Sequence, residues 1–178
     1  MPLRVLQVVT QMHRAGLETM LMNYYRHINR DNIQFDFLVH RTGTFAYDEE
    51  ILSLGGKICH VPPIALKEFP SYLKALHSFF SEHSAYPIVH CHLDALSGFA
   101  LHAAKEAGIP VRIAHSHNNG FEKDFKLPFR LVAKKLIPKS ATHYWGCSQE
   151  ALQFLFGSKL SLGPNAKVIP NAIDPDSF

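Results

Sequence analysis

The chain has 178 residues, 47% hydrophobic and only 19% charged, which excludes an intrinsically disordered protein and suits one compact domain with a sizeable core. Its formal net charge of +3 is too small to indicate a nucleic-acid partner. The cysteines are widely spaced and lie in apolar runs, which predicts free thiols. The sequence has no signal-peptide pattern and no apolar run near the ~18 residues that a membrane span needs, so we expect a cytoplasmic protein.

Strand and helix patterns alternate along the first half of the chain. Short apolar, β-rich runs predict strands, and apolar residues at helical spacing predict helices. In chain order these are a strand at residues 4–9, a helix at 15–28, a strand at 33–40, a helix at 47–54, a strand at 57–61, a helix at 69–83 and a strand at 88–92. Gly55 and Gly56 supply the stop signal for the second helix.

The alternation continues through the second half. Asp94 is placed to cap the next helix, and Gly108 is the expected residue just past its end. The remaining predicted elements are a strand that starts at Val111, a helical segment at 121–139, a strand at 142–147, a helix at 149–156 and a strand at 167–169. Seven strands mostly separated by helices imply right-handed βαβ units, and therefore a Rossmann-like, doubly wound α/β fold with a mainly parallel sheet.

Histidines stand at the ends of two predicted strands. The run at 88–92 ends in His90 and His92, and the run that starts at Val111 ends in His115 and His117. Ligands of open α/β sheets bind outside the carboxyl ends of the strands, so these side chains should share one crevice. The alternative for each histidine is a structural one, an imidazole bonded to a nearby backbone group.

The first pair of histidines also suggests a metal site, because His90, His92 and Asp94 are close in sequence. The His-x-His-x-Asp-His pattern of zinc hydrolases would need a histidine at position 95, which is Ala95. We therefore expect no metal and interpret His92 as a residue that lines the crevice.

The loop after the first strand carries one glycine, Gly16, two residues before Glu18. It lacks the three-glycine spacing of a dinucleotide-binding loop, which argues against an NAD-binding protein. A lone glycine is commonly just a turn residue, but this one opens a helix whose backbone amides could receive a phosphate. Gly16 and Glu18 are therefore candidates for a phosphate-binding loop.

Five segments, in this order, resemble one protein family. They are Gly16-Leu17-Glu18, Ile88-Val89-His90-Cys91-His92, Arg112-Ile113-Ala114-His115-Ser116-His117-Asn118, Cys147-Ser148-Gln149-Glu150 and Ile169-Pro170-Asn171-Ala172-Ile173-Asp174. The chain resembles the amino-terminal, acceptor-side domain of the retaining GT-B glycosyltransferases of family GT4, especially the capsular and exopolysaccharide enzymes. The resemblance spans essentially the full chain.

The resemblance implies an enzyme that moves a sugar from a nucleotide-sugar to a growing polysaccharide acceptor, which we expect to be lipid-linked, without a metal or other cofactor. It implies that residues 1–170 form the N-terminal domain and residues 171–178 start a linker to a C-terminal donor-binding domain. This chain alone would then be inactive.

The same resemblance assigns roles to particular residues. In the family a histidine at the exit of the central strand lies near the transferred sugar, which makes His117, and then His115, the candidate catalytic residues. The donor-phosphate loop would contain Gly16 and Glu18. Candidates for lining the acceptor cleft are His92, Asn118, Ser148 and Asn171.

A basic segment follows Gly120. One predicted helix face carries Phe125, Phe129, Val132 and Leu136, and a separate basic row comprises Lys123, Lys126, Arg130 and Lys134. A basic amphipathic helix is typical of elements that dock on anionic membranes. We therefore expect peripheral association with the inner face of the plasma membrane; the alternative is a solvated helix whose apolar side packs in the core.

A different class of protein stays open from the residues alone. A Rossmann-like shell could also serve a non-catalytic binding or regulatory module. A longer reading frame with paired glutamates in a second domain distinguishes the transferase from such a module, and stoichiometric zinc would indicate a metal-dependent hydrolase.

Overall fold

The computed structural model describes residues 1–65, 67–120, 124 and 127–171. Its strands are β1 (Leu3–Val9), β2 (Ile33–Val39), β3 (Ile58–His60), β4 (Ile88–Cys91), β5 (Val111–Ser116), β6 (His143–Gly146) and β7 (Ala166–Val168). Its helices are α1 (Gly16–His27), α2 (Asp48–Ser53), α3 (Phe69–Glu82), α4 (Ser97–Glu106), α5 (Leu127–Ser140) and α6 (Gln149–Ser161), with a 3-10 turn at Asp94–Leu96.

All seven described strands join one parallel sheet in the order β3-β2-β1-β4-β5-β6-β7. The chain adds β2 and β3 on one side of β1 and then crosses over to add β4 to β7 on the other. The direction of winding therefore reverses between β1 and β4, which is where a doubly wound sheet opens a ligand crevice. The predicted Rossmann-like fold with seven parallel strands is confirmed.

Helices cover both faces of the sheet and divide the core in two. Helices α3 to α6 pack in one cluster with Leu6 and Val8 of β1. Helices α1 and α2 pack in the other cluster with Val9 of the same strand. Alternate residues of β1 thus face opposite sides, which is why the strand reads as a nearly continuous apolar run.

The helix stops predicted at glycine are confirmed, whereas the predicted cap is not. Gly55 and Gly108 have φ values of 88° and 80°, in the left-handed region that favours glycine. Asp94 was predicted to cap α4, but the residue before α4 is Leu96, which makes no side-chain capping bond. The reason is that the Asp94 carboxylate is turned toward the end of β5.

Helix α5 differs from its predicted orientation. Phe129 and Leu136 pack against the core as expected, but Val132 is 56% exposed, as is Leu131 at 49%. The two described members of the predicted basic row are engaged within the protein: Arg130 pairs with Asp124, and Lys134 Nζ donates to the Phe154 carbonyl at 2.7 Å. Lys123, Lys126 and Phe125 lie outside the described residues.

Two further expectations concern the whole chain. Cys59, Cys91 and Cys147 are free thiols, as predicted. None of the helices in the described part of the chain combines the length and apolar character needed to cross a lipid bilayer.

Candidate functional site

A crevice of about 260 Å³ opens at the carboxyl ends of β1, β4 and β5. Each strand contributes the residues that directly follow it, so the crevice lies at the reversal of winding between β1 and β4. The lining includes Thr10, His92, Asp94, Asn118 and Arg130. A crevice is therefore present where the sequence predicts one, and His92 and Asn118 line it; their role toward an acceptor stays a prediction.

Four imidazoles form a contiguous group at this edge, which we call the histidine cluster: His90, His92, His115 and His117. The Nε2 atom of His90 lies 3.0 Å from Nδ1 of His115, and Nδ1 of His92 lies 2.9 Å from Nε2 of His117. The cluster forms because parallel pairing of β4 with β5 aligns two strand ends that both carry histidines on the same face.

The third strand at this edge supplies a partner for the cluster. Gln7 of β1 is 1% exposed, and its Oε1 atom lies 2.9 Å from Nε2 of His92. In the parallel register Gln7 is the partner of His90 on β4. A chain of hydrogen bonds thus runs from the central strand through His92 to His117.

Asp94 ties the ends of β4 and β5 together. Its carboxylate accepts from the backbone N–H of His117 at 2.8 Å and from Nδ2 of Asn118 at 2.6 Å. Its backbone adopts φ of 47°, a left-handed conformation that aspartate tolerates better than most residues. This strained residue holds the segment that carries His117 and places a carboxylate in the crevice wall.

Burial keeps the histidine cluster neutral. It lowers the pKa of His90 to about 3 and that of His115 to about 2, and positive charge on His117 would lower both further. The pKa of His92 is likewise far below its usual value, mainly through burial. Burial also lowers the pKa of His117, although the nearby Asp94 carboxylate acts in the opposite direction. These imidazoles therefore donate and accept hydrogen bonds but supply no positive charge near neutral pH.

Three members of the cluster are arranged so that they could hold a metal ion. His90, His92 and His115 each offer a nitrogen, and these atoms lie within 4.8 Å of one another. Neutral imidazoles suit a transition metal. The set differs from the His90, His92 and Asp94 set suggested by the sequence, because the Asp94 carboxylate binds the β5 end. Two of its three imidazoles, His90 and His115, are already bonded to each other.

The other predicted site residues lie apart from the crevice lining. Gly16 and Glu18 start α1, and Glu18 is buried in its first turn, where burial raises the pKa of its carboxyl. Ser148 Oγ accepts from the N–H of Ala151 at 3.2 Å and so caps α6. Asn171 is exposed and follows Pro170, whose carbonyl accepts from the Tyr24 hydroxyl at 3.2 Å. The structure gives Ser148 a capping role that explains its position before a helix.

His115 faces a different space from the crevice. Together with His90 and Trp145 it borders an apolar groove of about 380 Å³ on the face of the sheet that α1 covers in part. His115 is only 1% exposed, whereas His117 follows the end of β5 and bonds to His92 and Asp94, which line the crevice. His117 is therefore the better placed of the two candidate catalytic histidines.

A cavity at the opposite, amino-terminal edge of the sheet is lined by charged residues that already bind each other. The Asp36 carboxylate accepts from Arg4 Nε at 2.6 Å, from the Tyr86 hydroxyl at 2.7 Å and from the Lys57 N–H at 2.8 Å. Burial alone would raise the pKa of Asp36, but these donors hold it below its usual value. This network stabilises the fold and leaves the histidine-lined crevice as the candidate site.

Sequence reasoning missed Gln7 and the final role of Asp94. A signal for Gln7 was present, since strands buried on both faces are nearly all apolar and Gln7 interrupts such a run. Asp94 carried no comparable signal, because its bonds join β4 to β5 across 23 residues of sequence.

The fold is a Rossmann-like α/β domain with a crevice at its topological switch point. The sequence profile of Glycosyltransferase Family 4 matches residues 14–177, and the chain belongs to that family. It is 40% identical over 178 residues to a protein of Bacillus subtilis (strain 168) described as "Putative glycosyltransferase EpsF". This match covers 98% of the chain but 46% of that protein, so the chain spans about half the length of this relative.

Solved structures show the same fold at lower identity. The structure of Anabaena Alr3699/HepE in complex with UDP has a TM-score of 0.68 at 16% identity, over 96% of this chain and 44% of that one. The structure of the same protein with UDP and glucose has a TM-score of 0.65 at 18% identity, and the match covers 96% of this chain and 45% of that one. The structure of MurG of Acinetobacter baumannii has a TM-score of 0.59 at 11% identity, and the match covers 99% of this chain and 47% of that one.

Proposed function

We propose that this chain is the acceptor-side domain of a retaining glycosyltransferase that moves a sugar from a nucleotide-sugar to a polysaccharide acceptor, in a lipid-linked form. The observation that carries the proposal is the crevice at the winding reversal, with His92 and Asn118 in its lining and His117 bonded to His92, in a chain that belongs to Glycosyltransferase Family 4. The structural neighbours crystallised with UDP, and with UDP and glucose, support a nucleotide-sugar as the donor.

The chemistry proposed for this domain is positioning rather than charge neutralisation. Neutral His117 exchanges hydrogen bonds with a hydroxyl of the reacting sugars, while Asp94 fixes the backbone that carries it. The leaving diphosphate develops negative charge, and neutral imidazoles stabilise such charge only as hydrogen-bond donors. We therefore assign most of that charge stabilisation to a second domain.

The domain boundaries follow from the same proposal. Residues 1–170 form the acceptor-side domain, and residues 171–178 start the linker to a C-terminal donor-binding domain of a longer protein. The chain matching 46% of its relative supports this division. In an assay with a panel of UDP- and GDP-sugars and crude lipid-linked acceptor, the longer protein should turn over and residues 1–178 should not. Turnover by residues 1–178 alone would refute the division.

We also propose that transfer uses no bound metal. The imidazoles of His90 and His115, which could ligate an ion, instead bind each other. Elemental analysis of the purified protein should find substoichiometric zinc, and a chelator should leave transfer unchanged. Stoichiometric zinc that is lost in a His90→Gln variant would overturn this proposal and favour metal-dependent chemistry.

Membrane docking is proposed on a revised face of α5. The exposed residues of this helix include the apolar pair Leu131 and Val132 beside the lysines Lys135 and Lys139, whereas Arg130 and Lys134 are engaged within the protein. Exposed apolar side chains flanked by lysines suit the surface of an anionic bilayer.

We expect the double variant Lys135→Gln, Lys139→Gln to weaken binding to anionic vesicles by about thirtyfold, since each lysine near the surface contributes about 1 kcal/mol. Cosedimentation with vesicles that contain phosphatidylserine measures the loss. Lys159→Gln, which neutralises an exposed lysine on α6, is the matched control and should bind normally. Equal binding by the double variant and the wild type would exclude this face.

A further inference from the structure

Gln7 is a polar residue in the middle of a buried strand, and its side chain bonds to the histidine cluster. It lies on β1 between two apolar neighbours and is 1% exposed. Its Oε1 atom contacts Nε2 of His92 at 2.9 Å. Burying an amide costs free energy that an apolar residue would not, so the position of Gln7 points to a role toward the histidine cluster.

The protons along this chain of hydrogen bonds can be counted. A carbonyl oxygen only accepts, so the hydrogen must be on Nε2 of His92. A neutral imidazole carries one N–H, so Nδ1 of His92 is an acceptor. That acceptor lies 2.9 Å from Nε2 of His117, which must therefore be the donor.

The count ends on one atom. Neutral His117 with its hydrogen on Nε2 has a lone pair on Nδ1, and this buried nitrogen has no hydrogen-bond partner within the described structure. An unsatisfied buried acceptor is costly unless a ligand completes it. It is suited to accept from the hydroxyl of a bound sugar.

We infer that Gln7 is a positioning residue that fixes the tautomer of His117 through His92, leaving Nδ1 of His117 as an acceptor for a ligand hydroxyl. The ligand in this statement rests on the proposed function, whereas the tautomer does not. If the amide of Gln7 were reversed, its N–H would donate to His92, each hydrogen bond would reverse, and Nδ1 of His117 would carry the hydrogen.

The tautomer can be read directly by NMR. Long-range ¹H–¹⁵N correlation spectra of ¹⁵N-labelled residues 1–178 at pH 7.5 distinguish protonated from unprotonated imidazole nitrogens, and a His117→Gln variant assigns the His117 signals. We expect Nε2 of His117 to be protonated and Nδ1 to be unprotonated. The opposite pattern in the wild type would overturn the inference without any variant.

Two variants test the role of Gln7. Gln7→Met keeps the volume but removes the acceptor, so His117 should change to a mixture of tautomers. Gln34→Met is the matched control, since Gln34 is a second buried glutamine, on β2, and bonds to Tyr25 and Leu54 instead. An unchanged His117 tautomer in Gln7→Met would refute the role of Gln7.

Activity provides a separate readout. In the longer protein, Gln7→Met should lower kcat by about tenfold, a typical loss when a histidine loses the partner that orients it, with the KM for the donor unchanged. If Gln7→Met altered the His117 tautomer but left kcat unchanged, Nδ1 of His117 would be excluded as an acceptor for the hydroxyl of the reacting sugar. If the wild type transferred nothing, the proposed function would fail, while the NMR result would still decide the tautomer.

Discussion

Replacing His117 with alanine in the longer protein should lower kcat for sugar transfer by about two orders of magnitude, because a hydrogen-bonding group that positions the reacting sugar would be lost. His117 follows β5 and is anchored through its backbone to Asp94, so truncating the side chain leaves the strand end in place. Donor binding, followed by calorimetry with the nucleoside diphosphate, should be preserved.

The controls separate a role in transfer from a role in folding. His102→Ala changes a 41% exposed histidine on α4 and should transfer at the wild-type rate. His115→Ala removes a side chain that is 1% exposed and should mainly lower the free energy of unfolding. Normal transfer by His117→Ala would exclude His117 from the site.

Mild acid should destabilise the fold strongly, because four histidines are buried as neutral groups: His40, His90, His92 and His115. Burial lowers the pKa of each, to about 4 for His40. Well above pH 6.5 these histidines are neutral in both the folded and the unfolded state, and stability does not depend on their titration. As pH falls below 6.5 the unfolded chain gains protons that the folded chain does not, so stability falls with pH.

We expect a loss of about 4 kcal/mol in the free energy of unfolding between pH 6.5 and pH 5.5, about 1 kcal/mol for each buried histidine. Burial raises the pKa of Glu18, so the folded chain takes up part of one proton at this carboxyl as the pH falls. This uptake offsets only a small part of the loss in stability. Urea unfolding at a series of pH values measures the loss. His115→Gln should reduce this loss by about one quarter relative to its own value at pH 6.5. A pH-independent free energy of unfolding over this interval would contradict the burial of neutral histidines.

The fold was largely predictable because its signals are local. Apolar runs, helical spacing and the stops at Gly55 and Gly108 gave the elements, and alternation of strands with helices gave the parallel sheet. The end of α6 was not predictable. The apolar pattern predicted a helix at 149–156, whereas α6 continues past a kink at Gly157 to Ser161.

The candidate site was predictable only in part. The rule that ligands bind at the carboxyl ends of parallel strands predicted a crevice there, and the structure has one with His92 and Asn118 in its lining; that an acceptor binds them stays a prediction. The hydrogen bonds that organise the cluster depend on which strands become neighbours, and the sequence does not order the strands. Gln7 and His92 are 85 residues apart in the chain and meet only because β1 pairs with β4.

The orientation of α5 shows a second reason for error. Its apolar residues are not confined to one side, so periodicity placed Val132 inward, whereas packing leaves Val132 exposed and buries Ala133 and Ile137 instead. The contacts of the basic row were not predictable either, because Arg130 bonds to Asp124 and Lys134 to the Phe154 carbonyl, which depends on tertiary packing; the role of the row at a membrane stays a prediction.

The central claim is that acceptor chemistry takes place in the crevice at the ends of β1, β4 and β5. A crystal structure of the longer protein with UDP and the oligosaccharide of an acceptor that supports transfer tests it most directly. The account predicts a hydroxyl of that ligand within hydrogen-bond distance of His117, with Asn118 and Asp94 beside it. An acceptor bound at the opposite edge of the sheet near Arg4, or only outside this domain, would contradict the account and favour a non-catalytic role for the histidine cluster.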